Sequence, residues 1–340
     1  MARKLGFIGL KGHESVVLRG AAELNKATPG SIEIVAVADD VPAELAKFAK
    51  QPQLKGAQAY PEWRQLLEHA MLDVVCLSDA NDLHTEQIIE CAKRNIDIVT
   101  EKPLALSFED LARVKAALAK SKSRLTMLLT MRHEAKYSVV RRLVTEGAIG
   151  DVAQVTAQKS YRLEKRPAWF KQAKRLGGMI PYIGIHPVDM IRWTTGLDFQ
   201  SVAAVQGRVG EFPELGEGDN QASLLATLSN GASATIRLDY LRPSTTATHG
   251  DDCLRIAGSR GIIETRGDAA TISLLTSDKE PQTIQPDKPT NLFVEFLAAL
   301  DASKPWPIPA EDCLRATEIV LLARQAAEER AVVKIPEAQK

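Results

Sequence analysis

The chain has 340 residues, with 43 Lys or Arg and 43 Asp or Glu, so its formal net charge is zero. At about 100–200 residues per domain, this length predicts two domains. The balanced charge argues against proteins that bind nucleic acids or anionic membranes, because both need a basic excess. No apolar run approaches the roughly 18 residues that cross a bilayer, and the N-terminus does not resemble a signal peptide. We therefore expect a cytoplasmic protein that interacts with neither nucleic acid nor membrane.

The first third of the sequence alternates short apolar strands with helices. The predicted strands cover residues 4–9, 32–38, 56–60, 73–77, 96–100 and 125–130. The helices between them include one over 41–49 and one that begins at Ser107, where Ser107 and Asp110 resemble a capping box. Such alternation indicates right-handed βαβ crossovers and a parallel sheet. Six strands predict a doubly wound, nucleotide-binding sheet with its ligand crevice at the carboxyl ends of the strands.

The rest of the sequence is richer in consecutive strands. Strands are predicted over 151–162, 200–209, 221–228, 232–241, 253–257 and 261–265, and helices over 136–146, 186–195, 292–302 and 313–329. Asn230-Gly231 is a strong hairpin signal, and Ser259-Arg260 suggests a second hairpin. This pattern predicts an α+β domain with a large, mostly antiparallel, open sheet covered on one face. The uncovered face predicts a homo-oligomer. We place the domains at 1–124 and 125–340.

A glycine-containing turn follows the first predicted strand. Gly9 and Gly12 lie where the strand meets a helix, which is the setting of a dinucleotide-binding loop. The pattern is imperfect, because Lys11 and Glu14 occupy the second and third glycine positions, so an ordinary tight turn remains an alternative. Asp39, at the end of the second strand, can accept hydrogen bonds from an adenosine ribose, or it can cap a helix. The acids at Asp39 and Asp40 favour NAD over NADP, although Lys11 keeps NADP open.

Two other segments carry groups suited to acid–base chemistry. Glu101-Lys102-Pro103 directly follows the fifth strand, where a lysine can stabilise alkoxide charge and Pro103 can fix a sharp turn through a cis bond. Tyr182, His186 and Asp189 are spaced so that they can share a helix face. A histidine is a suitable base for a carbinol proton, although it can also cap an apolar helix. A metal site is not expected, since too few ligands lie nearby and the four cysteines have no zinc-like spacing.

Together these segments resemble the glucose–fructose oxidoreductase / inositol dehydrogenase / rhizopine catabolism family (Gfo/Idh/MocA). The resemblance covers nearly the whole chain and includes the Gly9 turn, Val-Ala-Asp39, Tyr60-Pro-Glu-Trp-Arg, Asp73-Val-Val, Asn81 to His84, Glu101-Lys102-Pro103, Glu146-Gly147-Ala-Ile-Gly150-Asp, Gly184-Ile-His186-Pro-Val-Asp189 and Trp193-Thr-Thr-Gly196. It implies a Rossmann domain, a larger α/β domain with an open sheet that mediates homodimers or homotetramers, and NAD(P)-dependent oxidation or reduction of a sugar, inositol or related polyol.

The resemblance also implies residue roles. Lys102 matches the lysine that orients and polarises the substrate hydroxyl, and His186 matches the acid/base histidine. Tyr182 falls where some members have an aspartate, so it binds substrate or joins a proton relay. Asp79-Ala80 replaces the Thr-Pro usual after the fourth strand. We expect cofactor contacts from Gly9, Lys11, Gly12, His13, Asp39, Asp79, Asn81, His84, Glu101 and Lys102, and substrate contacts from Lys102, Arg162, Tyr182 and Asp189.

The expected activity is that of an NAD(P)-dependent dehydrogenase. Two alternatives remain open at this point: a non-catalytic, cofactor-sensing regulator on the same fold, and an NAD-dependent enzyme that processes glycosides. Retention of both Lys102 and His186 speaks against the regulator, since a sensor needs no base.

Overall fold

A computed structural model describes residues 2–48, 50–267, 271–286, 288–304, 306 and 308–338. The chain folds into two compact units. The first comprises the described residues of Met1–Leu128 and Thr290–Leu314, and the second comprises those of Leu129–Pro289 and Arg315–Lys340. Each unit has its own sheet.

The first unit is built on alternating strands and helices. They are β1 (Arg3–Ile8), α1 (Glu14–Ala27), β2 (Ile32–Ala38), α2 (Pro42–Phe48), β3 (Gln58–Tyr60), α3 (Trp63–His69), β4 (Val74–Leu77), α4 (His84–Lys93), β5 (Asp97–Thr100), α5 (Phe108–Ala119) and β6 (Leu125–Met127). Over the described residues, six strands pair in parallel in the order β3-β2-β1-β4-β5-β6. This order is that of a doubly wound sheet, as predicted.

The register of this sheet brings four strand ends to one edge. Ile8 of β1 pairs with Ala38 of β2 and with Leu77 of β4, and Leu77 pairs with Thr100 of β5. The strands are buried apolar runs, as expected for a parallel sheet with both faces covered. The loops that follow these four strands therefore start side by side, at the edge where doubly wound sheets bind ligands.

The rest of the chain supplies a larger sheet and its helices. The elements are α6 (Ala135–Thr145), β7 (Val152–Arg162), α7 (Ala173–Leu176), α8 (Ile185–Thr195), β8 (Phe199–Gly207), β9 (Gln221–Leu228), β10 (Ser233–Arg242), β11 (Cys253–Gly258), β12 (Gly261–Arg266), β13 (Ile272–Thr276), β14 (Gln282–Ile284), α9 (Leu292–Asp301), α10 (Ala310–Glu329) and β15 (Val333–Lys334).

The second unit contains a mostly antiparallel sheet. Its nine strands within the described ranges have the order β14-β13-β12-β11-β7-β10-β9-β8-β15. Only β7 and β10, among these described strands, run parallel to each other. Burial alternates strictly along β9 and for most of β10, so one face is packed and the other is open. This arrangement confirms the predicted open sheet.

A late segment of the chain returns to the first unit. The Asn291 side-chain Nδ2 donates to the Val16 carbonyl in α1 at 3.1 Å, and Trp306 Nε1 donates to Thr126 Oγ1 in β6 at 2.7 Å. Arg124 Nη2 donates to the Leu300 carbonyl at 2.8 Å. The predicted ranges 1–124 and 125–340 divide the chain differently, because β6 pairs with β5 and Thr290–Leu314 packs beside α1 and β6.

Local signals in the sequence agree with the structure at several points. Ser107 Oγ accepts from the Asp110 amide at 3.1 Å, which confirms the cap of α5, and both predicted hairpins form. Strands β13, β14 and β15 were not predicted, and β6 ends at Met127 rather than at residue 130. Residue 49, the predicted end of the second helix, lies outside the described residues.

Two further kinds of feature are absent from the described residues. No helix there has the length and apolar composition of a membrane span. In the same part of the chain, no group of three or more His, Cys, Asp or Glu side chains is arranged to hold a metal ion.

A shared carboxylate joins two helices within the second unit. Asp198 follows α8, and its Oδ1 accepts from Arg192 Nε of α8 at 2.8 Å. Its Oδ2 accepts from Arg315 Nε of α10 at 2.9 Å. Burial raises the pKa of Asp198, but the hydrogen bonds and charges of the two arginines outweigh burial and lower it.

We expect Asp198→Asn to destabilise the protein in a pH-dependent way. A carboxylate whose pKa is lowered by folding adds stability above its unfolded pKa of about 3.9, and that stability disappears as the pH falls through the folded value. The variant should lose about 1–2 kcal/mol of unfolding free energy at pH 7, and this difference should shrink below about pH 4. Urea unfolding of both proteins between pH 3 and pH 7 checks this, with Asp278→Asn in an exposed turn as control; a pH-independent difference would contradict it.

Candidate active site

The loop after β1 packs closely against the ends of β4 and β5. Gly9 has a φ of +76°, and a Cβ there would lie 2.5 Å from the Asp79 Cα. A Cβ on Gly12 would lie 2.5 Å from Glu101 Oε1 and 2.7 Å from Ser78 Oγ. Side chains do not fit at these distances, so both positions require glycine. The glycine-containing turn after β1 therefore packs closely against the loops that follow β4 and β5.

Backbone donors of this loop bind carboxylate oxygens. The His13 amide donates to Glu101 Oε1 at 2.5 Å, and His13 Nδ1 lies 2.6 Å from the same oxygen. The Gly12 amide donates to Glu14 Oε2 at 3.2 Å, just where α1 begins. Burial raises the pKa of Glu101, but the charge and hydrogen bonds of His13, and then the charge of Lys102, hold it well below its usual value. Glu101 is therefore a buried anion beside the helix N-terminus.

Lys11 lies close to three aspartates at the same edge of the sheet. Its Nζ lies 2.5 Å from Asp40 Oδ1, 2.7 Å from Asp79 Oδ1 and 3.7 Å from Asp39 Oδ1. Burial lowers the pKa of Lys11, but Asp79 and Asp40 outweigh burial and raise it. The Asp39 carboxylate also accepts from the amides of Leu10 at 2.9 Å and Val41 at 2.8 Å. One ammonium thus faces three carboxylates, and this corner keeps a negative excess.

The Glu-Lys-Pro segment lies beside this loop. Lys102 is 4% exposed, and its amide donates to Glu101 Oε2 at 3.3 Å. The Lys102–Pro103 peptide bond is cis, as the sequence suggested. His84 is fully buried; its Nδ1 donates to the Pro103 carbonyl at 2.7 Å, and its Nε2 lies 3.1 Å from the Asp79 carbonyl. His84 therefore ties the loops after β4 and β5 together from inside, and Asn81 is also buried in the turn before it.

These residues fit a dinucleotide. Gly9 and Gly12 bring the turn between β1 and α1 close to the ends of β4 and β5, and backbone N–H groups at the start of a helix are typical donors to phosphate. The amides of Gly12 and His13 donate to the carboxylates of Glu14 and Glu101, so these N–H groups can bind anionic oxygens of the kind that a phosphate carries. Acids at the end of β2 suit a ribose diol. Gly9, Lys11, Gly12, His13, Asp39, Asp79 and Glu101 lie together at this edge of the sheet. Asn81 and His84, like Asp39, Asp79 and Glu101, are buried.

The second unit carries the predicted histidine. A π-helical turn, Ile180–Gly184, leads into α8, and π-turns are frequent at functional sites. It contains Tyr182, four residues before His186, so the two side chains come from successive turns. His186 is 6% exposed and Tyr182 is half-buried. The Tyr182 ring packs edge-on against Phe170 and Trp169, with centroids at 5.4 Å and 6.4 Å.

The two remaining predicted substrate residues have protein partners. Asp189 and Arg132 form a buried pair, in which Arg132 Nε donates to Asp189 Oδ2 at 2.8 Å and Nη2 donates to Oδ1. Arg162 donates to the Thr246 carbonyl at 3.0 Å and to Glu164 Oε1 at 3.2 Å. Both oxygens of Asp189 are therefore used within the second unit, where they hold Arg132.

The packed face of the second sheet ends in polar side chains, which the sequence patterns did not reveal. In β7 this face carries Val155 and Ala157 and then Lys159 and Tyr161, and in β10 it ends with Tyr240. Lys159 is buried and paired with Asp252, and burial, which lowers its pKa, is outweighed by Tyr161 and Asp252. Charged and phenolic groups at positions of core parity were the available signal.

Two family models match most of the chain. Residues 3–129 match the model described as oxidoreductase family, NAD-binding Rossmann fold, and residues 137–264 match the model described as GFO/IDH/MocA C-terminal domain. A solved structure from Thermotoga maritima, assigned as an oxidoreductase, is 31% identical with a TM-score of 0.90 and covers 98% of this chain and 100% of its own.

Other relatives have named activities. The rhizopine catabolism protein MocA of Rhizobium meliloti is 24% identical, over 82% of this chain and 84% of its own length. Myo-inositol 2-dehydrogenase of Thermotoga maritima is also 24% identical, over 82% of this chain and 85% of its own. A levoglucosan dehydrogenase structure with NADH and levoglucosan has a TM-score of 0.86 at 18% identity, covers 99% of this chain and 100% of its own, and shows the shared fold. These matches confirm the predicted family, the oxidoreductase class and NAD as cofactor.

We expect Lys11→Met to sharpen discrimination between the two pyridine nucleotides. Removing the ammonium leaves three carboxylates uncompensated, and a 2′-phosphate adds about −1.5 to −2 charges to the ligand. NADPH affinity should therefore fall at least about tenfold, and NADH affinity only about threefold. Fluorescence titration checks this, with the exposed Lys47→Met as control. Equal losses for NADH and NADPH would contradict it.

Proposed function

The chain belongs to the Gfo/Idh/MocA family of oxidoreductases, and from that premise we propose that it is an NAD-dependent dehydrogenase acting on a CH–OH group of a sugar, inositol or related polyol. The myo-inositol 2-dehydrogenase and MocA relatives, each matched over more than four-fifths of this chain, support this substrate class. The nicotinamide, when bound, supplies the hydride acceptor or donor. NADP is the less favoured alternative, because of the negative excess around Asp39, Asp40 and Asp79.

The observation that carries this proposal is the place of Lys102. It is a buried lysine at the carboxyl edge of the parallel sheet, directly after Glu101, whose carboxylate reaches the amide of the glycine loop. An ammonium is costly to bury without charge compensation, and Glu101 supplies it. We assign Lys102 to hydrogen-bond the substrate oxygen and to stabilise its alkoxide as the carbinol is oxidised.

We assign His186 to take the proton from the substrate hydroxyl during oxidation and to return it during reduction. Tyr182, one helical turn earlier, binds substrate or relays that proton. A carboxylate at this position, which the family resemblance implies for some members, stabilises an imidazolium by its charge, whereas the phenol of Tyr182 offers a hydrogen bond. The buried Arg132–Asp189 pair instead fixes α8 against the turn that precedes α6, and so positions His186.

We expect His186→Ala and Lys102→Ala each to lower turnover at least ~10²-fold, because each removes a group that moves a proton or stabilises charge. The assay follows reduced-nicotinamide absorbance with NAD and a panel of sugars and polyols. His69→Ala and Lys120→Ala, which change exposed residues of the first unit, are the matched controls.

Three outcomes would contradict these assignments. Full activity of His186→Ala would remove the histidine from the mechanism. NADH binding without turnover of any substrate would instead favour the regulator, and release of an aglycone without net cofactor reduction would favour glycoside processing.

We propose that the open face of the second sheet forms a homodimer or homotetramer. Val205 in β8 and Leu225 in β9 are 61% and 57% exposed, and Val332 beside them is 69% exposed. They line a groove of about 780 Å³ together with Arg237 of β10. An apolar surface of this kind on a sheet is typical of a subunit interface.

We therefore expect Leu225→Glu to lower the oligomeric state, because it puts a charge into a buried interface. Size-exclusion chromatography with light scattering measures the mass. Met71→Glu changes an apolar residue of the first unit that is 78% exposed, and it is the control. An unchanged mass for Leu225→Glu would rule this face out.

A further inference from the structure

A guanidinium in the second unit lies among aromatic rings. The Arg166 Cζ is 4.7 Å from the Phe170 ring centroid and 5.1 Å from that of Tyr240. Over the described part of the chain, Arg166 makes no ion pair, and its buried Nε has no hydrogen-bond partner. Its backbone amide donates to Glu214 Oε2 at 3.2 Å, which leaves the guanidinium uncommitted.

The acids near Arg166 are engaged by other cations. Glu164 Oε1 lies 3.2 Å from Arg162 Nη2 and 3.1 Å from His249 Nδ1. Glu214 Oε2 lies 2.9 Å from Lys171 Nζ. Residues 162–175 contain six Lys or Arg and one Glu, so the segment as a whole has a positive excess. A half-buried guanidinium without an ion-pair partner among the described residues is free to bind an external anion.

Two further polar atoms of the same cluster are buried. Tyr240 Oη and Trp169 Nε1 have no hydrogen-bond partner within the described residues, and these side chains are 2% and 6% exposed. Phe170 connects them, with ring centroids 5.9 Å from Tyr240 and 6.0 Å from Trp169. The nitrogens of Arg166 and Trp169 can only donate, and the tyrosine hydroxyl can donate as well. A ligand group with several acceptor oxygens would satisfy these donors.

This cluster contacts the turn that precedes the proposed base, His186. Tyr182 contacts both Phe170 and Trp169, and it lies in the turn that runs into α8 and His186. Tyr182 and Arg166 are half-buried, so a ligand can reach them from solvent, whereas Trp169 and Tyr240 are buried. The orphaned donors therefore lie in the same cluster as Tyr182, which we assign to the substrate.

We propose that the substrate is a sugar or polyol that carries a carboxylate, such as an aldonate or a uronate, and that Arg166 binds this carboxylate. The planar guanidinium fork matches a carboxylate with two parallel hydrogen bonds while stacking on aromatic rings. A single cation suits the single charge of a carboxylate better than the two charges of a phosphate. This inference rests on the proposed dehydrogenase function, because it names the substrate class of the same site.

Matched substrate pairs test the inference. Calorimetric titration in the presence of NADH compares D-glucose with D-glucuronate and D-glucitol with D-gluconate, with D-glucose 6-phosphate as the phosphate probe. At least one acid should bind the wild-type protein about tenfold or more tightly than its neutral partner, as a charge-assisted hydrogen-bond pair provides. In turnover assays that advantage should appear mainly in KM.

The variants separate charge from packing. Arg166→Met keeps the contacts with Phe170 and Tyr240 and should lose about 10- to 100-fold in affinity for the acid, with little change for the neutral partner. Arg166→Lys keeps the charge but not the fork, and should recover part of the loss. Lys165→Met removes a neighbouring exposed charge and should behave as wild type. Circular dichroism confirms that each variant is folded.

Three results would overturn the inference: equal binding of acid and neutral partner by the wild type, unchanged acid binding by Arg166→Met, or a larger gain for the sugar phosphate than for the acids. Failure of the proposed function looks different. In that case neither member of any substrate pair is turned over by the wild type or by His186→Ala. The acid still binds more tightly than its neutral partner, and Arg166→Met still removes this difference in affinity.

Discussion

The close approach of the glycine loop to the ends of β4 and β5 is the constraint on which the first unit depends. With no Cβ at Gly9 or Gly12, backbone reaches Asp79 and Glu101, and the amides at the start of α1 meet buried carboxylate oxygens. That contact fixes Glu101 as an anion, and Glu101 in turn compensates the buried Lys102. The cofactor loop and the proposed catalytic lysine are thus parts of one electrostatic arrangement.

The second unit buries polar side chains at one end of its sheet. Its sheet is an ordinary half-buried antiparallel sheet until the ends of the parallel pair β7 and β10, where Lys159, Tyr161 and Tyr240 replace apolar side chains. Burying such groups is unfavourable unless they find partners or serve a ligand. Lys159 has Asp252, whereas the guanidinium of Arg166, among the described residues, has aromatic faces such as that of Tyr240. We interpret this contrast as the difference between a structural ion pair and a binding group.

Alternation of strands and helices was sufficient to predict the doubly wound sheet, and strand ends alone placed Gly9, Asp39 and Glu101 at one edge. The partners of these residues could not be predicted, because they depend on loops far apart in the chain. Lys11 reaches Asp79 across 68 positions, and Arg132 reaches Asp189 across 57. Spacing along a helix suggested that Asp189 faces substrate; only tertiary packing reveals that Arg132 uses both of its oxygens. Short strands such as β15 lack any period long enough to detect.

We propose that the glycine loop of the first unit binds the pyridine nucleotide that takes part in oxidation and reduction. Titration of NADH into the purified wild-type chain, followed by calorimetry, tests it most directly. We expect saturable binding of NADH at one site per chain, with NADPH binding more weakly. Absence of binding for both nucleotides would contradict it, whatever the structure of the loop.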